Sequence, residues 1–172
     1  MGALGAAVRR DLQQGAALNK RAAYSETYDA VVAVWRDEGG ASLDDIALMA
    51  TINSLLAQRF PYFFWTGFYR VCGDRLAVGP YIGTLGCLQI EFGRGVCGTA
   101  AAKRETLIVP DVTRFPGHIA CDPNSKSEIV VPVFDAERQL IAVLDVDSDQ
   151  FDAFDQDDRE GLEKLAALFE HP

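Results

Sequence analysis

Residues 127–145, SEIVVPVFDAERQLIAVLD, contain the pattern that decides the fold. Two apolar runs, 127–134 and 139–145, flank the polar stretch Asp135-Ala136-Glu137-Arg138, and this arrangement predicts a β-hairpin. A second hairpin is predicted upstream, with an aromatic strand at 63–71, a turn at Gly73-Asp74 and a strand at 75–82. The strands of a hairpin are antiparallel, so these two units predict a mainly antiparallel sheet.

Helical patterns precede and follow these hairpins. Apolar residues at helical spacing begin after Ser25 and end at Gly39-Gly40, and Ser42 is placed to cap a second helix, with Asp45 as a weak capping-box partner. The other elements predicted are strands at 88–92 and 106–109, a short helix at 99–104 and a closing helix from Asp155. This order of elements predicts an α+β domain with helices packed on a sheet.

Length and composition are those of a single globular domain. The chain has 172 residues, of which 49% are hydrophobic and 24% charged, which is enough to bury a full core without cross-links. Residues 1–22 are rich in Ala, Gly, Gln and basic side chains, so we expect them to be a loosely attached, partly disordered extension. Residues 23–172 are expected to form one domain.

Charge and hydropathy exclude several classes of protein. The formal net charge of -9 provides no basic surface for nucleic acid. No apolar run reaches the roughly 18 residues of a membrane span. Arg9 and Arg10 follow the mildly apolar N-terminus, whereas a secretory signal has its basic residues first. We therefore expect a cytoplasmic protein, in which four cysteines are more typical of redox or metal chemistry than of structural disulfides.

Cys121 is the first candidate for chemistry. It lies in a polar, turn-forming segment between His118 and Asp122, and loops on a rigid scaffold often carry reactive groups. A redox cysteine is one interpretation. The alternative is a small buried apolar side chain, which is the common fate of a free cysteine, but the polar neighbours weigh against it.

Cys87, Cys97 and Cys121, together with His118, also raise the question of a zinc site. Structural zinc ligands normally come in close Cys-x2–4-Cys pairs, because one tight turn then delivers two thiolates. These three cysteines are far apart in sequence, and only His118 and Cys121 have a close spacing. Metal binding is therefore disfavoured, and no metal site is predicted.

The stretch GRGVCG at 93–98 formally matches the G-x-G-x-x-G fingerprint of dinucleotide sites, and Asp111 lies near the position of a ribose-binding acid. However, the preceding strand carries Gln89 and Glu91, whereas a parallel Rossmann strand is buried on both faces and apolar. The glycines are better interpreted as a tight loop that presents Cys97.

Carboxylates cluster late in the chain. Glu128 opens one predicted strand, and Asp145, Asp147 and Asp149 alternate at the end of another, which places these three on one face. Two interpretations remain open at this point. The acids form a pocket that binds a small cation or supplies a proton, or they are the solvated end of a strand.

Two aromatic side chains of the first hairpin also share a face. Trp65 and Tyr69 are four residues apart in a predicted strand. Taken alone, they are most simply interpreted as core residues.

Six motifs occur in order along the chain: WTGFY at 65–69, GPY at 79–81, GRGVCGTA at 93–100, HIACD at 118–122, SEIV at 127–130 and VLDVDS at 143–148. Together they resemble the free methionine-R-sulfoxide reductases, a catalytic branch of the GAF-domain fold. The resemblance extends over roughly residues 24–170. It implies a GAF-like α+β fold, in which helices pack on the faces of a central, mainly antiparallel sheet.

The resemblance also implies roles for individual residues. The cysteine matching Cys121 attacks the sulfoxide sulfur, that matching Cys87 resolves the product, and that matching Cys97 substitutes or assists. Two acids, Glu128 and Asp147, are implied in proton donation. The full set implied in substrate binding is Trp65, Tyr69, Ile119, Ala120, Glu128, Asp145 and Asp147.

The function implied is reduction of free methionine R-sulfoxide through a sulfenic acid and an intramolecular disulfide. Thioredoxin is the implied electron donor, no cofactor is expected, and the implied assembly is a homodimer. Two alternatives remain: a non-catalytic GAF domain that senses a small ligand, and a reductase of peptide-bound methionine sulfoxide. The cysteines weigh against the sensor.

Overall fold

The computed structural model describes residues 18–40, 44–119 and 121–170. The helices are α1 (Lys20–Asp37), α2 (Asp45–Arg59), α3 (Gly95–Lys103) and α4 (Gln156–Ala166). The strands are β1 (Trp65–Cys72), β2 (Arg75–Ile82), β3 (Gln89–Glu91), β4 (Leu107–Val109), β5 (Ser127–Phe134) and β6 (Leu140–Ser148). Short 3₁₀ turns occupy Val112–Arg114 and Ala167–Phe169. The predicted α+β class is confirmed.

The six strands form one sheet in the order β3-β2-β1-β6-β5-β4, and every neighbouring pair is antiparallel. Both predicted hairpins are present, as β1–β2 and β5–β6. Pairing of β1 with β6 joins the two hairpins, so the first strand in the chain lies beside the last one, at the centre of the sheet. No local sequence pattern predicted that central pairing.

Both faces of the sheet are covered. Alternate residues of the strands, such as Phe68, Ile129 and Leu144, pack against α1, α2 and α4 on one face. The opposite face carries α3 and long loops, and its residues include Tyr69 and Val143. Because both faces are buried, the central strands are apolar at most positions, and their few polar residues are conspicuous.

Three predicted helix starts require correction, and one of them is that of α3, which begins at Gly95 and not at Thr99. The first helix begins at Lys20, not near Ser25, because the side chain of Asn19 caps it by accepting a hydrogen bond from the backbone of Ala22. The second helix is capped by Asp44, whose carboxylate accepts from the backbone of Ile46. The predicted cap, Ser42, lies outside the described residues.

The start of α1 is anchored to α4 by a buried carboxylate. Asp158 is fully buried, and its oxygens accept hydrogen bonds from the hydroxyl groups of Tyr24 and Tyr62 and from the ammonium of Lys20. Lys20 also pairs with Asp155, the N-cap of α4. The described end of the predicted extension, residues 18–22, therefore belongs to the domain, whereas residues 1–17 lie outside the described ranges.

None of the helices within the described ranges is long and apolar enough to cross a lipid bilayer.

Replacing the buried carboxylate should weaken the fold. We expect Asp158→Ala to lower the free energy of unfolding by about 3 kcal/mol, because it leaves Lys20 and two tyrosine hydroxyls without their shared acceptor. Chemical denaturation measures the change. Asp157→Ala is the matched control, because Asp157 pairs with the exposed Arg21, and we expect it to lose at most about 1 kcal/mol. An equal loss of unfolding free energy in the two variants would show that the buried cluster stabilises the fold no more than an exposed ion pair does.

Candidate active site

Three strands deliver polar and aromatic side chains to one cavity on the α3 face of the sheet. Trp65 and Tyr69 come from β1, Glu128 from β5, and Asp145 and Asp147 from β6. The register places Asp147 directly between Trp65 and Glu128 on the two neighbouring strands. The empty space between the lining residues is about 520 Å³, including the part that is open to solvent. These five residues, all predicted from sequence, therefore lie together.

Two of the acids are buried, and Asp147 is partly buried. Glu128 and Asp145 are each only 6% exposed. Asp149 is not part of the group, because β6 ends at Ser148 and Asp149 is exposed beyond it. The structure thus decides between the two interpretations of the carboxylate cluster: three of the four acids line a cavity, and the fourth is a solvated strand end.

Burial raises the pKa of all three cavity acids. It raises the pKa of Asp145 to about 7. The pKa values of Glu128 and Asp147 are also raised, first by burial and then by the charge of neighbouring carboxylates. Such a group retains protons near neutral pH. It can therefore supply a proton to a bound molecule and also attract a cation.

Cys97 adds a thiol to this acidic group. It lies in the first turn of α3, where it is buried, and its Sγ is 3.7 Å from the Oε1 of Glu128. Burial, followed by the charges of Asp145 and Glu128, raises its pKa well above the ordinary value. Cys97 therefore remains a neutral thiol, which is a poor nucleophile compared with a thiolate.

The glycines around Cys97 have a packing role. A Cβ on Gly98 would lie 2.2 Å from the carbonyl oxygen of Glu91, and one on Gly95 would lie 3.3 Å from the side chain of Ile119. The strand before them, β3, is antiparallel to β2, unlike the parallel strand of a dinucleotide fold. The dinucleotide interpretation is therefore not supported. The tight loop predicted at 93–98 is only partly correct, because α3 begins at Gly95 and holds Cys97 in its first turn.

Cys87 and Cys121 form a disulfide, with their Cα atoms 5.4 Å apart. They lie on two loops that follow β2 and the first 3₁₀ turn, and Cys121 lines the cavity. A second link joins the same loops, because the hydroxyl of Thr84 donates a hydrogen bond of 2.5 Å to the carboxylate of Asp122. This bond lowers the pKa of Asp122. The loops thus hold the two cysteines at bonding distance at the edge of the cavity.

The loop that carries Cys87 packs closely against two aromatic side chains of the cavity, Trp65 and Tyr69, which we call the aromatic wall. Trp65 donates its indole N–H to the carbonyl of Thr84, at 3.1 Å. A Cβ on Gly83 would lie 2.5 Å from the Trp65 ring, and one on Gly86 would lie 2.9 Å from the Tyr69 hydroxyl. The glycines are therefore required for close approach of the backbone.

The aromatic wall is part of a stack of three rings. Trp65 lies between Tyr69 and Tyr81, with centroid distances of 5.8 Å and 5.3 Å and nearly parallel planes. Trp65 and Tyr69 are almost fully buried and also line the cavity, so they are at once core residues and part of the site. Tyr81 stacks on Trp65 but is not one of the residues that line the cavity.

The loop before β5 supplies the remaining lining residues. Ile119 lines the cavity as predicted, whereas Ala120 lies outside the described residues. Ser125 was not assigned from the sequence, but it lines the cavity and opposes the rise of the Asp147 pKa. Its position in the long polar loop was the available signal. His118 lines the cavity too, and burial lowers its pKa.

The four-ligand zinc set considered from sequence does not form. Cys87 and Cys121 bond to each other, so neither offers a thiolate. Cys72, the other free cysteine besides Cys97, is exposed at the end of β1, away from the residues that line the cavity.

Comparisons with known proteins agree with this geometry. A GAF domain model matches residues 23–171. The chain is 44% identical over 125 residues to free methionine-R-sulfoxide reductase from Escherichia coli, a match that covers 73% of this chain and 75% of the relative. The structure of free methionine-R-sulfoxide reductase from Neisseria meningitidis in complex with its substrate superposes with a TM-score of 0.82 and 41% identity, covering 90% of each chain. The structure of the Staphylococcus aureus protein in its reduced form superposes with a TM-score of 0.79 and 39% identity. The match covers 86% of this chain and 92% of that one.

The cavity acids should make stability depend on pH. Burial raises the pKa of Asp145 from 3.8 to about 7, so between these values the folded state binds more protons than the unfolded state. The free energy of unfolding should therefore fall as the pH rises from about 4 to about 7. Asp145→Asn lacks this titration and should show a flatter profile when denaturant unfolding is measured across the range. Asp149→Asn, at an exposed position, should keep the wild-type profile. Coincident profiles for Asp145→Asn and wild type would contradict the assignment.

Proposed function

Because the chain belongs to the GAF domain family, within its free methionine-R-sulfoxide reductase branch, we propose that it reduces the R-sulfoxide of free methionine to methionine. One observation carries the proposal: the Cys87–Cys121 disulfide borders a cavity that combines buried acids with an aromatic wall. A redox-active thiol, a proton donor and an apolar surface are the groups that sulfoxide reduction requires.

Cys121 is the nucleophile in this proposal. Its thiolate attacks the sulfoxide sulfur while a protonated acid, Glu128 or Asp147, gives a proton to the sulfoxide oxygen. The hydroxyl group then moves from the substrate sulfur to the cysteine sulfur. The substrate sulfur–oxygen bond and the transient sulfur–sulfur bond break, an oxygen–sulfur bond forms on Cys121, and methionine leaves while Cys121 becomes a sulfenic acid. The sulfoxide is reduced by two electrons and the cysteine is oxidised by two. The raised pKa values of Glu128 and Asp147 support either acid as donor.

Cys87 resolves the sulfenic acid. Its thiol condenses with Cys121, releases water and forms the disulfide, which protects Cys121 from further oxidation. The 5.4 Å separation of the Cα atoms supports this pairing over one with Cys97, which is a free thiol buried beside Glu128. An external dithiol then reduces the disulfide, and thioredoxin is reducing enough to do so.

Substrate selectivity follows from the acids. The ammonium of a free amino acid pairs with the group formed by Glu128, Asp145 and Asp147, and the methyl end packs on Trp65 and Tyr69. A peptide-bound methionine carries no ammonium at this position, so buried acids would be left without a partner. Thioredoxin as donor, a cytoplasmic location and a homodimer stay predictions.

A GAF domain that only senses a small ligand is the alternative function. The cavity would accept a small cationic ligand in that case as well. A sensor has no need for a disulfide at the mouth of its cavity, and this observation favours the reductase. Consumption of NADPH with thioredoxin and its reductase separates the two, because a sensor consumes none.

The first test concerns the substrate. We expect turnover of free methionine R-sulfoxide, and little turnover of the S epimer, of N-acetylmethionine sulfoxide or of a peptide containing the sulfoxide. The reason is that the buried acids need an ammonium partner. Coupled NADPH oxidation measures all four. Comparable rates on the N-acetyl compound would contradict the role of the acids.

The second test concerns the cysteines. In the reduced enzyme without added reductant, Cys121→Ser should release no methionine. Cys87→Ser should release about one equivalent per chain and then stop as a sulfenic acid. Dimedone labelling with mass spectrometry locates that acid. Cys72→Ser is the matched control and should turn over normally, since Cys72 is exposed and lies outside the cavity. Dimedone on Cys97, or methionine released by Cys121→Ser, would overturn the assignment.

A further inference from the structure

A compact set of ligating atoms lies within the cavity, apart from the disulfide. The Sγ of Cys97 and one carboxylate oxygen each from Glu128 and Asp145 lie within 4.8 Å of one another, and all three residues are buried. They come from three elements, α3, β5 and β6, so the fold of the whole face brings them together.

One carboxylate oxygen of Asp145 lacks a hydrogen-bond partner among the described atoms. The Oδ1 of Asp145 is buried and accepts no hydrogen bond from the described protein atoms, although the residue is only 6% exposed. A buried carboxylate oxygen without a donor is costly unless a ligand supplies a positive charge or a proton. Since Asp145 lines the cavity, the missing partner points to a ligand within it.

We propose that Cys97, Glu128 and Asp145 form a binding site for a divalent cation of borderline softness, of the Zn²⁺ class. Cys97 is a neutral thiol without the ion, so ion binding must release its proton. The resulting thiolate with two carboxylates suits Zn²⁺ better than Mg²⁺ or Ca²⁺, which prefer oxygen ligands alone. Tetrahedral zinc with bonds of about 2.3 Å to sulfur and 2.0–2.2 Å to oxygen holds those ligands roughly 3.5 Å apart. The 3.7 Å between the Cys97 Sγ and the Glu128 Oε1 is close to that spacing.

Such an ion would act as an inhibitor. Glu128 and Asp145 are the acids assigned to the substrate ammonium, so ion and substrate would compete for the same carboxylates. This consequence rests on the proposed function, whereas binding of the ion does not. Cys97 is free while Cys87 and Cys121 are bonded to each other, so the oxidised protein offers the complete ligand set.

The test uses the oxidised chain, without an affinity tag, in a Cys72→Ser background, where Cys97 is the remaining free thiol. Calorimetry with Zn²⁺ should give one ion per chain. Co²⁺ should produce a thiolate-to-cobalt charge-transfer band. Cys97→Ser should abolish the band and weaken Zn²⁺ binding by about tenfold or more. Asp149→Asn, outside the cavity, should change neither. Absence of Zn²⁺ binding, or a band that persists in Cys97→Ser, would overturn the site.

Competition between the sulfoxide and Zn²⁺ is measured on the unmodified chain, so this test does not depend on whether a variant folds. Free methionine sulfoxide should weaken Zn²⁺ binding to the unmodified oxidised chain, and Zn²⁺ should inhibit turnover competitively. If turnover at saturating Zn²⁺ equals that without it, the inhibitory role is wrong. If the sulfoxide is neither bound nor reduced, the proposed reductase function fails, while the cobalt band still decides the metal site.

Discussion

The antiparallel pairing of β1 with β6 is the interaction on which the rest of the structure depends. It joins two hairpins that are distant in the chain and places Trp65 opposite Asp147, with Glu128 opposite Asp147 on the far side. Directly opposed side chains lie about 5 Å apart, so this register alone creates a wall of aromatic and acidic groups. A slip of one residue would turn every one of them to the opposite face.

The acids are tolerated because the same strands bury a continuous apolar face on their other side. Ile129 and Leu144 alternate with Glu128 and Asp145 and are completely buried against the helices. Their burial offsets the desolvation of the carboxylates. Burial in turn raises the pKa values of the acids, which gives the cavity both retained protons and unsatisfied acceptors. Burial of the carboxylates therefore costs free energy of folding, but it also gives them the raised pKa values that proton transfer and cation binding would use.

The cysteine loops pack closely on this face. Gly83 and Gly86 let the backbone of the Cys87 loop lie against Trp65 and Tyr69. The Thr84–Asp122 hydrogen bond and the disulfide fasten this loop to the one that carries Cys121. A loop held in this way presents its cysteine at a defined distance from its partner, which is the geometry that the proposed resolution by Cys87 requires.

The sequence by itself determined the local features, because alternation, helical spacing and turn residues depend on neighbours in the chain. Both hairpins and the closing helix after Asp155 were predicted in this way, as was the shared face of Asp145 and Asp147, whereas the family was recognised by resemblance of its motifs. Only the tertiary structure decided that Cys97 lies beside Glu128, that Tyr81 stacks on Trp65 and that Lys20 reaches Asp158. These contacts arise from strand order, register and packing between distant segments, which no local pattern of residues encodes.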